Sequence, residues 1–171
     1  MLSRSFRYAD GIAPNVAALS AILFGYPLGL VLLVQPFWLL QIFGFALVTV
    51  TLIWSAYFIH EFAHLAIFKS ASANRRWGTL MSWINGSCYA SFDAMRKKHM
   101  RHHVERADVI TFDVQKFLRA APAWLRQLVL ALEWAYFPAV EFLMRGFVMA
   151  LPFTRENNMR ARLRIIGIFA L

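Results

Sequence analysis

The 171-residue chain has room for one domain, and its 60% apolar residues, 16 Phe and mean hydropathy of +0.52 exclude an ordinary soluble globule. Its 18 Lys and Arg against 9 Asp and Glu report membrane topology before anything else, and no nucleic-acid partner is expected. The single Cys88 excludes a disulfide framework and a cysteine-rich metal site, and reads as a small buried hydrophobe.

Residues 1–15, with Arg4, Arg7, Gly11 and Pro14, read as a short cytoplasmic tail. The uncharged residues 16–34 would make about 28 Å of helix, which matches a hydrocarbon core of about 30 Å. That run is too long for the apolar core of a signal peptide, and no small-residue cleavage site follows it. Gln35-Pro36 then reverses the chain, with Pro36 suited to the first turn of a second helix. Residues 36–59 carry no charge and give about 36 Å of helix, enough to cross with tilt. The expected fold is an all-α integral membrane bundle whose second span leaves the bilayer at His60.

All five histidines lie between His60 and His103, in the groups His60-Glu61-Phe62-Ala63-His64 and His99-Met100-Arg101-His102-His103. On a helix, His60 and His64 share a face at i and i+4, as do His99, His102 and His103 at i, i+3 and i+4. Neutral imidazoles converging on one point form a strong site for iron, copper, nickel or zinc. A lone histidine is usually structural, but two same-face groups at the end of an apolar run point to metal.

Residues 60–123 read as a cytoplasmic and interfacial region. Lys69, Arg75, Arg76, Arg96, Lys97, Lys98, Arg101 and Arg106 outnumber Asp93 and Glu105 there, which by the positive-inside rule turns both histidine groups to the cytoplasm. Trp77, Trp83, Tyr89 and Phe92 suit one or two helices lying in the headgroup region. Asp108 and Asp113 are candidates to accept the second N–H of a metal-bound imidazole, as is Glu61; either Asp equally suits a helix cap or a pair with Arg106. Within residues 124–153, Glu133, Glu141 and Arg145 form a polar stripe broken by Pro138, which favours two interfacial or re-entrant helices over a crossing one. Arg155, Arg160, Arg162 and Arg164 agree, since a crossing would put them on the wrong side. Residues 163–171 read as the start of a further span, only about 14 Å long, so the chain is expected to be a fragment or a truncated product.

The pattern HxxxH followed by HxxHH resembles the first two histidine boxes of the membrane fatty acid desaturase and hydroxylase superfamily. Arg96-Lys97-Lys98-His99-Met100-Arg101-His102-His103, running on to Ala107-Asp108-Val109 and Phe112-Asp113, is similar to bacterial acyl desaturases in particular. The resemblance covers about residues 15–171 and corresponds to the front half of such an enzyme, without its third H/QxxHH box. It implies a non-haem centre of two Fe ions that uses O2 to remove hydrogens from an acyl chain, with His60, His64, His99, His102 and His103 as ligands. It also implies a membrane lipid or acyl thioester substrate and a ferredoxin or cytochrome b5-like electron donor. Substrate-binding residues are not legible. A hydroxylase or ketolase of alkanes, sterols or carotenoids shares these boxes. His60-Glu61-Phe62-Ala63-His64 also satisfies HExxH, in which two histidines bind zinc and Glu61 would be the general base of an intramembrane protease. A further alternative is an inactive membrane protein, because five histidines fall short of the eight or so ligands the family uses.

Overall fold

The computed structural model describes residues 2–105, 114–154 and 158–170, and within them all side chains except those of Leu2, Ser3, His102 and Glu105. Among the described residues every regular element is helical, with one isolated bridge between Phe6 and Phe68, so the fold is all-α as expected. They form two compact units, Met1–Glu105 and Arg106–Leu171.

The first unit is built on a hairpin of two long helices, α2 (Ile12–Leu33) and α3 (Trp38–Ala63), after a single turn, α1 (Leu2–Ser5). Both long helices are apolar around their whole circumference and long enough to cross a membrane. Phe24, Phe43 and Tyr57 are 75%, 66% and 70% exposed, a surface suited to acyl chains and not to water. The helices meet through glycine. A Cβ added at Gly44 would lie 2.8 Å from both the Gly29 carbonyl oxygen and the Leu33 nitrogen, so the two backbones are in direct contact there.

Three boundaries differ from the sequence expectation. Helix α2 begins at Ile12, taking Pro14 into its first turn, where a missing N–H leaves no hydrogen bond unmade. Helix α3 begins at Trp38, because Phe37 is extended and serves as N-cap, leaving Pro36 in the connecting turn. Gln35 Nε2 donates to the Val31 carbonyl at 3.0 Å and Gln41 Nε2 to the Gln35 carbonyl at 2.8 Å, which closes that turn. At its far end α3 continues past residue 59 to Ala63.

Beyond α3 the chain turns through Leu65, at φ 57°, and residues 67–68 return against the N-terminal segment. Arg7 N donates to the Ile67 carbonyl and Lys69 N to that of Ser5, both at 2.9 Å, and Phe6 packs on Phe68 with ring centroids 4.9 Å apart. The supposed tail thus braces the turn after the first histidine group. Buried Asn74 fixes the same turn, donating to the Phe68 and Ser70 carbonyls at 2.7 and 2.9 Å and accepting from Phe68 N at 3.2 Å. Helix α4 (Ala71–Ile84) follows, tied to α3 by Asn85 Nδ2 on the Leu52 carbonyl at 3.1 Å, and α5 (Phe92–Glu105) ends the unit. The core between these elements is Ile22, Phe58, Phe62, Phe68, Met81 and Phe92.

The second unit contains α6 (Val114–Ala120), α7 (Ala123–Trp134), α8 (Ala139–Thr154) and α9 (Met159–Phe169). The chain breaks between α7 and α8, where Tyr136 has φ 59°. Glu133 Oε1 accepts from Val140 N at 2.6 Å and so caps α8, while Glu141 pairs with Arg145 at 2.8 Å. At about 18 and 24 Å, neither α7 nor α8 alone reaches across a hydrocarbon core. Residues 163–169 belong to α9, which starts at Met159 and carries Arg160, Arg162 and Arg164.

Gly44→Ala is expected to destabilise the detergent-solubilised protein by about 1–3 kcal/mol, because the clashing atoms are backbone and cannot swing away. Gly146→Ala, where an added methyl meets nothing within 4 Å, serves as control and should be neutral or stabilising by about 0.5–1 kcal/mol. Chemical denaturation followed by circular dichroism distinguishes the two, and equal effects would contradict the close approach.

Candidate metal centre

Continuation of α3 to Ala63 is what keeps the first histidine group in register. His60 lies in its last turn and His64 is the C-cap, with His64 N donating to the His60 carbonyl at 3.1 Å. Their rings are 4.6 Å apart. The second group arrives on α5, whose start is set by Ser91 Oγ accepting from Ala94 N at 3.2 Å. Phe92 occupies the space a side chain at Gly78 would need, and Asp93 pairs with Arg75 at 2.5 Å. One turn on, Arg96 Nε donates to the Ala63 carbonyl at 2.8 Å. The next turn brings His99 Nε2 to 2.9 Å from His64 Nε2, and His103 Nε2 lies 3.1 Å from His99 Nε2.

Four imidazoles therefore converge: His60, His64, His99 and His103 present ligand atoms that all lie within 4.8 Å of one another. Hydrogen bonding between the rings accounts poorly for this. His99 Nε2 holds either one hydrogen or one lone pair, so it cannot donate to both of its neighbours. Adjacent nitrogens on one cation, each about 2.0–2.1 Å from it, sit about 2.9–3.4 Å apart, and the His64–His99 and His99–His103 pairs, at 2.9 and 3.1 Å, have that spacing. The donor set thus fits a metal ion, and the described residues supply ligands enough for one.

Glu61 Oε1 lies 3.1 Å from His60 Nδ1. A carboxylate only accepts, so Nδ1 carries the hydrogen and the Nε2 lone pair remains for coordination. Burial, followed by His60 and His103, lowers the His64 pKa from its ordinary 6.5; Glu61 acts in the opposite sense and Arg96 with the histidines. The result favours neutral imidazole, the form that binds metal. His64 and His99 are half-buried and His60 and His103 exposed, so the cluster is open on one side.

Of the other residues singled out from the sequence, His102 belongs to α5 but its side chain lies outside the described residues, as do Asp108 and Asp113 entirely. Cys88 is buried and is not part of the cluster. Arg96 was legible only as one basic residue among many. Its spacing of i, i+3 before His99 is the one signal that could have singled it out.

Cobalt(II), used as a spectroscopic probe, should be released as pH falls from 7 towards 5, since protons compete for the same lone pairs. The lowered pKa of His64 places its own protonation below 6.5, so release should be incomplete at pH 6.5. The metal-free protein should also lose stability over that range, because the unfolded chain takes up the proton first. Cobalt absorption that stays constant between pH 7 and 5 would argue against imidazole ligation.

A family model described as fatty acid desaturase matches residues 36–171, a stretch that begins just before α3 and takes in both histidine groups. No curated protein and no solved structure matches the chain. That match covers most of the sequence and contains all four converging imidazoles, and on it the chain belongs to the fatty acid desaturase family.

Proposed function

We propose that this chain is a membrane-bound fatty acyl desaturase in which His60, His64, His99, His102 and His103 are ligands of a non-haem di-iron centre. The observation that carries this reading is the convergence of imidazoles from α3 and α5 at the end of an apolar hairpin. Iron bound there supplies, with O2, the oxidising power to break unactivated C–H bonds, which side chains alone do not have. The protein's own contribution is geometric. Two helices hold the imidazoles, Glu61 sets the tautomer of His60, and the apolar faces of the hairpin would keep an acyl chain beside the centre. Ligands for a second ion would come from His102 and from a third box of the kind the family resemblance implies.

The basic residues Arg75, Arg76, Lys97, Lys98 and Arg101 are exposed on α4 and α5, which supports a cytoplasmic placement of the boxes. On that side an acidic ferredoxin or a cytochrome b5-like protein would deliver electrons, and the substrate would be a membrane lipid or an acyl thioester. The zinc protease reading is weaker. It needs only one ligand beyond His60 and His64, which leaves at least one of His99 and His103 without a role, and its general base, Glu61, is engaged by His60 Nδ1.

Elemental analysis tests the proposal. Chain purified in detergent from iron-supplied cells should carry iron, and His64→Ala or His99→Ala should lower the iron content by about tenfold or more. Zinc in place of iron, retained after both His99 and His103 are changed to Ala, would overturn it in favour of the protease.

A further inference from the structure

Arg96 contributes no nitrogen to the imidazole cluster, yet it joins the two helices that build it. The carbonyls at the end of a helix lack intrahelical partners and must be satisfied from elsewhere. In α3 the His60 carbonyl accepts from His64 N at 3.1 Å, Glu61 from Ala66 N at 3.0 Å and Phe62 from Leu65 N at 3.0 Å. The Ala63 carbonyl accepts from Arg96 Nε at 2.8 Å. This is a charge-assisted bond to the negative end of a helix dipole, the kind in which a guanidinium is strongest. Its position matters more than its strength. Ala63 adjoins His64, and Arg96 stands one turn before His99, so one bond links the two helices beside a ligand on each.

Phe92 against Gly78 and the exposed pair of Asp93 with Arg75 tie α5 at its first turn, and Met95, just before Arg96, packs on the core. A small rotation about that anchor would be amplified at His99, two turns along. We propose that Arg96 is a positioning residue for the metal centre, its bond to Ala63 setting the separation of His64 and His99 that a shared ion requires. The inference rests on the metal-centre reading and adds to it a residue that is not a ligand. Methionine at this position would reach as far as the Nε position and remove the donor, whereas lysine would keep a charged donor on a more flexible stem.

The test is a cobalt(II) titration of the detergent-purified chain, read by visible absorption, with far-ultraviolet circular dichroism and thermal unfolding as controls of the fold. Arg96→Met should weaken cobalt binding by about tenfold or more and alter the d–d spectrum, and Arg96→Lys should recover most of both. In a His99→Ala background, Arg96→Met should change the affinity by less than about twofold, because the ligand it positions is already gone. Should Arg96→Met fail to fold, Arg96→Gln against Arg96→Lys carries the same comparison. Wild-type affinity and spectrum in a folded Arg96→Met protein would overturn the proposal, as would an equal loss in both backgrounds, which would mean a general role in the scaffold. Wild-type chain that takes up no cobalt would overturn the metal-centre reading itself, and this inference with it.

Discussion

Four imidazoles whose ligand atoms lie within 4.8 Å of one another are a costly arrangement in the absence of a cation. In the row of Nε2 atoms from His64 through His99 to His103, the middle nitrogen cannot donate to both of its neighbours. A site of this kind does not assemble because its members attract one another. It has to be imposed by surrounding structure stable enough to hold them, and the metal then returns that free energy on binding.

The surroundings show how this is done. Helix α3 buries Phe58, Phe62 and Ala63, which pack with Phe68, Met81 and Phe92 into one core beside its histidine end. Each connection leading to the cluster is fixed by a polar group with its hydrogen bonds made: Asn74 on the turn after His64, Asn85 on α3, Arg96 across the two helices. No buried side-chain polar atom among the described residues lacks a partner. The N-terminal segment adds Phe6 to the same core, so residues far from any ligand in sequence help hold the turn that follows the first box.

The parts of this arrangement that depend on local periodicity were legible in the sequence. His60 and His64 at i and i+4, the two long uncharged runs and the break around Pro138 all follow from spacing and composition. Helix ends were less legible. The change from apolar to polar at His60 suggested a boundary, but a backbone does not stop hydrogen bonding where side chains become polar, and α3 runs on to Ala63. The start of α2 at Ile12 was hidden by Pro14, which reads as a breaker although the first turn tolerates it. Contacts between distant residues were not legible at all. Beyond its i, i+3 spacing before His99, nothing local distinguishes Arg96 from Lys97 or Lys98, and nothing in the first fifteen residues announces that Phe6 pairs with Phe68.

One consequence follows from the uninterrupted length of α3. From Trp38 to Ala63 it is a single rod of 26 residues, about 39 Å long, held backbone to backbone against α2 at Gly44. A hydrocarbon layer about 30 Å thick is shorter than the rod, so the rod inclines or protrudes, and the choice changes with lipid composition. His60 is fixed to the end of it. In such a layer, bilayer thickness would act as a mechanical setting for how far the imidazoles stand from the acyl tails.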